Sequence, residues 1–168
     1  MKLSNAVKSA LPVAVLGFLA LGLAPMPADA STVTTTFGVT STVSATCTVS
    51  AGTLAFGTYT GLLTTATSTV TVTCTNTTPY NIGLSAGLAT NATVTTRSMT
   101  GPGSALLGYH LFSDASYALN WGVTVGTDTV AGTGNGAAQL LTIYGQIPSA
   151  EYVAPGAFTD TITATVTY

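Results

Sequence analysis

The side chains best suited to acid–base, nucleophilic or metal chemistry are scarce: one His, two Cys, five Asp/Glu and three Lys/Arg in 168 residues. His110 sits in Tyr109-His110-Leu111-Phe112 with no second histidine to share a metal, so a strand-surface or hydrogen-bonded role fits it better than catalysis. Asp114, Asp128, Glu151 and Asp160 are scattered, and no pair has a spacing that argues for general acid–base work. Gly132-Thr133-Gly134-Asn135-Gly136 is a phosphate loop in outline only, because no Lys-Ser/Thr follows it. Gly101-Pro102-Gly103-Ser104 lacks the pattern of a nucleophile elbow. Asn76-Thr77-Thr78 and Asn91-Ala92-Thr93 are formal glycosylation sequons of the kind chance produces in a Thr-rich chain. The sequence therefore predicts no enzyme, no catalytic residue, no metal and no cofactor.

Cys47 and Cys74 remain, and their meaning depends on compartment. Residues 1–30 have the features of a secretory signal peptide. Lys2 and Lys8 give a positive start, Ala10 to Ala24 an apolar stretch, and Ala28-Asp29-Ala30 a small-x-small cleavage pattern. A membrane anchor is the rival reading, but the apolar run is short and is broken by Pro12, Pro25 and Pro27. In an exported chain two cysteines default to a disulfide. Both fall in alternating segments, so neighbouring strands would be stapled; closing that loop contributes about 3.5 kcal/mol in the chain-entropy model.

Removing 30 of the 168 residues leaves 138, enough for one domain with a core. That part has no lysine and one arginine, Arg97, against four carboxylates, which gives nucleic acid no electrostatic footprint. Thr occurs 35 times, mostly alternating with apolar residues, and no long 3.6-residue period survives past the leader. Thr suits a pleated, half-exposed surface, so an almost all-β domain is expected.

The elements follow from that period of two. The odd-position rhythm of Ser31–Val39 continues through Val43, Ala45, Cys47 and Val49, so the first domain strand runs on from that segment with the divide near Thr40; Leu54–Tyr59 is a short strand and Gly61–Thr67 a loop. Thr69–Thr75 is a strong strand with Val70, Val72 and Cys74 inward, and Asn76–Pro79 turns into a strand carrying Tyr80, Ile82 and Leu84. Gly87–Gly103 reads as a polar excursion holding Arg97 and Met99. Leu106–Phe112 and Leu140–Gln146 are strands; Ser113–Trp121 is a turn with a short strand, and Trp121 a core anchor. Gly122–Gly136 is a loop or irregular hairpin, and Pro148–Gly156 a turn region. From Phe158 to Tyr168, Phe158, Ile162, Ala164, Val166 and Tyr168 fall on one face and Thr on every odd position. Asp160 shares the apolar face, where a loop backbone or Arg97 would have to satisfy it.

Two alternating segments thus sit at opposite ends, the terminal strand and Ser31–Val39 with Val33, Thr35, Phe37 and Val39. The expected organisation is a leader over 1–30, a donor strand over 31–40 and a β-sandwich over 41–168. The sandwich lacks its closing strand, and the spare segment would supply one to a neighbour. Exposed edges are usually blunted with charge, above all Lys. A lysine-free domain fits an edge that is always covered.

These residues resemble the spore coat U domain family, which includes the subunits of archaic chaperone–usher pili. The matching runs are Cys47-Thr-Val-Ser-Ala51, Phe56-Gly-Thr-Tyr59, Val70-Thr-Val-Thr-Cys-Thr75, Pro79-Tyr-Asn-Ile82 and Arg97-Ser-Met99. Leu107–Phe112, Trp121-Gly122, Thr142–Pro148 and Gly156–Tyr168 continue the series. The resemblance implies an incomplete immunoglobulin-like sandwich lacking its last strand. It also implies neighbouring pilin subunits, a periplasmic chaperone and an outer-membrane usher as partners. Val33, Phe37 and Val39 would be the plugs a donor inserts, Thr35 being a weak anchor, and Phe158, Ile162, Ala164, Val166 and Tyr168 would border the groove. The expected function is a structural subunit of a surface fimbria that supports adhesion and biofilm formation. The alternative is a secreted coat or surface-binding module that completes its own sandwich. Thr ladders as an ice- or carbohydrate-binding face rank lower, for want of a long repeat.

Overall fold

A computed structural model describes residues 29–168, so the leader proposed for residues 1–30 lies almost wholly outside the described residues. The chain divides into two compact units, one ending at Thr40 and the other spanning Ser41–Tyr168. In the first, residues 29–40 carry no strand, and every one is exposed.

The second unit is all-β. Its strands are β1 (Cys47–Ala51), β2 (Thr64–Cys74), β3 (Pro79–Leu84), β4 (Arg97–Thr100), β5 (Leu106–Phe112), β6 (Val130–Thr133), β7 (Gln139–Ile147) and β8 (Ala164–Thr167). They form two antiparallel sheets, ordered β1-β2-β7-β5-β4 and β6-β3-β8. The inward residues follow the period of two: Val70, Val72 and Cys74 on β2, Tyr80, Ile82 and Leu84 on β3, and Leu107, Tyr109 and Leu111 on β5 are all buried. Trp121 is fully buried and bridges the layers, its indole N–H donating to Ile82 O at 2.8 Å and its amide to Leu111 O at 2.9 Å. Cys47 stands opposite Cys74 in the β1–β2 register, and the two are disulfide-bonded. This is an immunoglobulin-like sandwich of the expected class.

Several local expectations are overturned. Arg97 does not sit in a polar excursion: it opens β4 and is 1% exposed. Its Nε donates to Ser85 O at 2.8 Å, Nη1 to Val94 O at 2.6 Å, and Nη2 to Leu84 O at 2.8 Å and Trp121 O at 2.6 Å. Four carbonyls, from the end of β3 and from the loops at Val94 and Trp121, therefore gather round one guanidinium, whose planar fork suits that task. Burial pushes its pKa down, and the nearby Tyr109, Asp128 and Asp160 push it back up.

The loop expected over Gly61–Thr67 is half strand, because β2 starts at Thr64 and pairs with β7 up to Ile147. Val130–Thr133, inside the Gly-rich stretch, is strand β6 and pairs with β3. The strand expected within Ser113–Trp121 reduces to one bridge between Phe112 and Asn120. Leu54–Tyr59 is not a strand at all. After the bond from the Gly52 amide to Thr69 O at 2.9 Å the chain leaves β2 and meets no other backbone to pair with. The terminal segment, expected as one strand over eleven residues, is regular only over Ala164–Thr167.

Candidate functional site

The two irregular stretches face each other. Residues 51–61 form one flank of a groove and residues 151–164 the other. The groove comprises two adjoining hollows of about 390 and 700 Å³, which share Leu54, Phe56, Met99 and Phe158 in their walls. The smaller reaches the core: Leu84, Leu111 and Ile143 line it, and all three are buried. Every lining residue belongs to the unit Ser41–Tyr168.

Local sequence shapes both flanks. Gly145 on β7 has no side chain where Leu54 and Phe56 lie, and a Cβ there would collide with both. The Phe56 ring meets Tyr109 edge-on at 6.1 Å between centroids. Tyr59 ties down the far end, its hydroxyl donating to Pro148 O at 2.6 Å and accepting the Glu151 amide at 3.1 Å. On the other flank Thr159 exchanges two backbone bonds with Thr100, at 2.9 and 3.1 Å. The Ser85 amide donates to Thr163 O at 3.0 Å, and Asn81–Leu84 of β3 then pair with β8.

β8 thus has a neighbour on one side only, and so does β1, whose sole partner is β2. Each is the last strand of its sheet and meets the groove at one end, β1 through Ala51 and β8 through Ala164, among side chains that are only half-buried. Phe158, Ile162, Ala164 and Val166 are of that half-buried kind, while Tyr168 is 59% exposed. An open edge above an accessible core is costly in water and invites another strand.

One carboxylate, Asp160, lies in the lining of the smaller hollow. Asp160 Oδ2 accepts the Tyr109 hydroxyl at 2.6 Å, and Oδ1 accepts the amides of Leu88 and Thr161, each at 2.8 Å. A loop backbone therefore satisfies it, together with Tyr109 and not by contact with Arg97. Burial, then the bond to Asp160, pushes the Tyr109 phenol well above its ordinary pKa, so it stays a neutral donor.

Val33, Phe37 and Val39, the suggested plugs, are 94%, 86% and 82% exposed in the first unit. Sequence reasoning missed Leu54, Phe56, Met99 and Tyr109 as groove residues. Arg97 and Met99 share the inward face of β4, but a strand of four residues is too short to announce itself. Among the described residues no cluster of metal-ligating side chains occurs, and no helix is long and apolar enough to cross a membrane.

Residues 33–165 match the family model of the Spore Coat Protein U domain. The chain belongs to that family. It is 32% identical to Protein U of Myxococcus xanthus, over 98% of this chain and 99% of that protein. Among solved structures it is similar to a chain in the CsuC-CsuE chaperone-tip adhesion subunit pre-assembly complex, from the archaic chaperone-usher Csu pili of Acinetobacter baumannii. There the TM-score is 0.57 at 24% identity, with 76% of this chain covered. The chain spans 40% of that chain's length, and the likeness is one of fold. The family match covers both alternating segments, from Val33 into the terminal strand.

Proposed function

We propose that this chain is a structural subunit of a bacterial surface pilus, exported through the periplasm and assembled by the chaperone–usher route. The observation that carries the reading is the groove between residues 51–61 and 151–164, which meets the last strand of each sheet at one end and is floored by core side chains. An extended segment laid there would complete the backbone ladder while alternate side chains fill the hollows. Residues 31–40 of a neighbouring copy have that form. Burying Val33, Phe37 and Val39 contributes about 1.5–3 kcal/mol each, before the cost of ordering the segment.

Supply from a neighbour makes a head-to-tail contact that does not close on itself, which grows into a filament. Before assembly the same groove needs a temporary cover, the part of a periplasmic chaperone; an outer-membrane usher then exchanges that cover for the next subunit. The fold shared with the Csu complex and the family membership support this assignment. Adhesion and biofilm formation are the roles such a fibre would serve.

The near full-length likeness to Protein U, in a family described by a spore coat protein, supports a second reading. In it the N-terminal segment completes its own domain, and the protein is a secreted coat module. Deleting residues 31–39 separates the two. In a pilus subunit the deletion leaves a domain that accepts a donor but gives none, and fibres disappear from the cell surface. Normal fibres from the deletion variant would refute the proposal, and a stable monomer of residues 31–168, purified alone, would favour the coat module.

A further inference from the structure

The donor-strand reading leaves open what fixes the register of the incoming segment, and the inference below rests on that reading. Along the groove face the terminal segment runs Phe158, Asp160, Ile162, Ala164, so one carboxylate breaks an apolar row. It is held in a built site. Tyr109 and the amides of Leu88 and Thr161 donate to it, and Gly87 makes room, since a Cβ there would collide with the carboxylate. A carboxylate accepts about four hydrogen bonds, so the three present leave one place open. The N-terminal segment carries the matching irregularity: Val33, Thr35, Phe37, Val39, with one hydroxyl in an apolar row.

We propose that Asp160 of one copy accepts a hydrogen bond from the Thr35 hydroxyl of the neighbouring copy, and that this pair sets the register of the donor segment. Each polar position has an apolar residue two places away on either side. With Thr35 against Asp160, Val33 and Phe37 fall beside Phe158 and Ile162 whichever way the donor runs. A slip of one residue turns every plug outward. A slip of two presses Val33 or Phe37 onto the carboxylate, which then loses water and gains no partner. Wrong registers are therefore penalised as well as the right one favoured. The residue that looks like a poor plug is the one that reads the groove.

The test uses fibres of the full chain, following the rate at which subunits dissociate in detergent at fixed temperature. Thr35→Val is nearly isosteric and more apolar, so a purely hydrophobic plug would dissociate more slowly. The Thr35–Asp160 pair instead requires dissociation about tenfold faster for Thr35→Val, with Thr35→Ser within about threefold of the unaltered chain. Both changes lie outside Ser41–Tyr168, so neither depends on how well an altered domain folds. Fibres that form normally yet dissociate no faster with Thr35→Val overturn the register pair alone. Failure of the unaltered chain to assemble through residues 31–40 overturns the donor-strand reading beneath it.

Discussion

Two stretches carry nearly the same alternation and meet different fates. β2 alternates Thr with Val and Cys, finds β1 along one edge and β7 along the other, and leaves Val70, Val72 and Cys74 at most 1% exposed. The segment from Phe158 to Tyr168 alternates Thr with apolar residues too, broken once by Asp160. It has a strand neighbour on one edge, over four residues, and its inward side chains stay half-exposed. Alternation decides which side chains face the core. How many neighbours a strand has is decided by topology, and here topology runs out on one flank.

The sealed side should be the more sensitive to mutation. Replacing Arg97 with Met strands four carbonyls around a buried site and should cost about 3–5 kcal/mol in denaturant melts. A cost below about 1 kcal/mol would mean that those carbonyls are readily satisfied by other donors. A matched pair of truncations probes the contrast directly. In a subunit lacking residues 31–39, Val72→Ala on β2, paired along both edges, should cost about 2–3 kcal/mol, whereas Ile162→Ala on the open flank should cost about 1 kcal/mol. Assembly should roughly double the second value and leave the first unchanged. Equal costs in the unassembled subunit would remove the distinction between the flanks.

Much of this was legible beforehand, for physical reasons. Strands with strong alternation and bulky inward residues, such as Thr69–Cys74, Pro79–Leu84 and Leu106–Phe112, are specified by their own sequence. The Cys47–Cys74 bond followed from compartment and parity. Leu54–Tyr59 was misjudged because alternation there is real, but no backbone lies alongside to pair with it. Arg97 was misjudged because its burial depends on carbonyls from Leu84, Ser85, Val94 and Trp121, which only the folded chain brings together. A groove is expected from the missing strand, while part of its wall, Leu54, Phe56 and Met99, comes from segments with weak or misleading local signals.

A smaller effect tests the polar node on the open flank. The Tyr109 phenol has a raised pKa in the folded state, so its contribution is fully present below about pH 10 and is lost as pH climbs beyond it. Tyr109→Phe should lower neutral-pH stability by about 1–2 kcal/mol through the lost bond to Asp160, and should reduce the loss of stability above pH 10. An unchanged alkaline profile in that variant would place the titrating group elsewhere.

Amide hydrogen exchange reads the open flank most directly. Those amides of residues 52–58 and 162–168 that β2 and β3 leave unbonded should exchange fast in a subunit without residues 31–39, while the interiors of β2 and β7 stay protected. In the assembled chain both stretches should slow together, by about a hundredfold or more, as one inserted strand pairs with both. If they are already protected in the truncated subunit, the sandwich closes by itself and needs no neighbour.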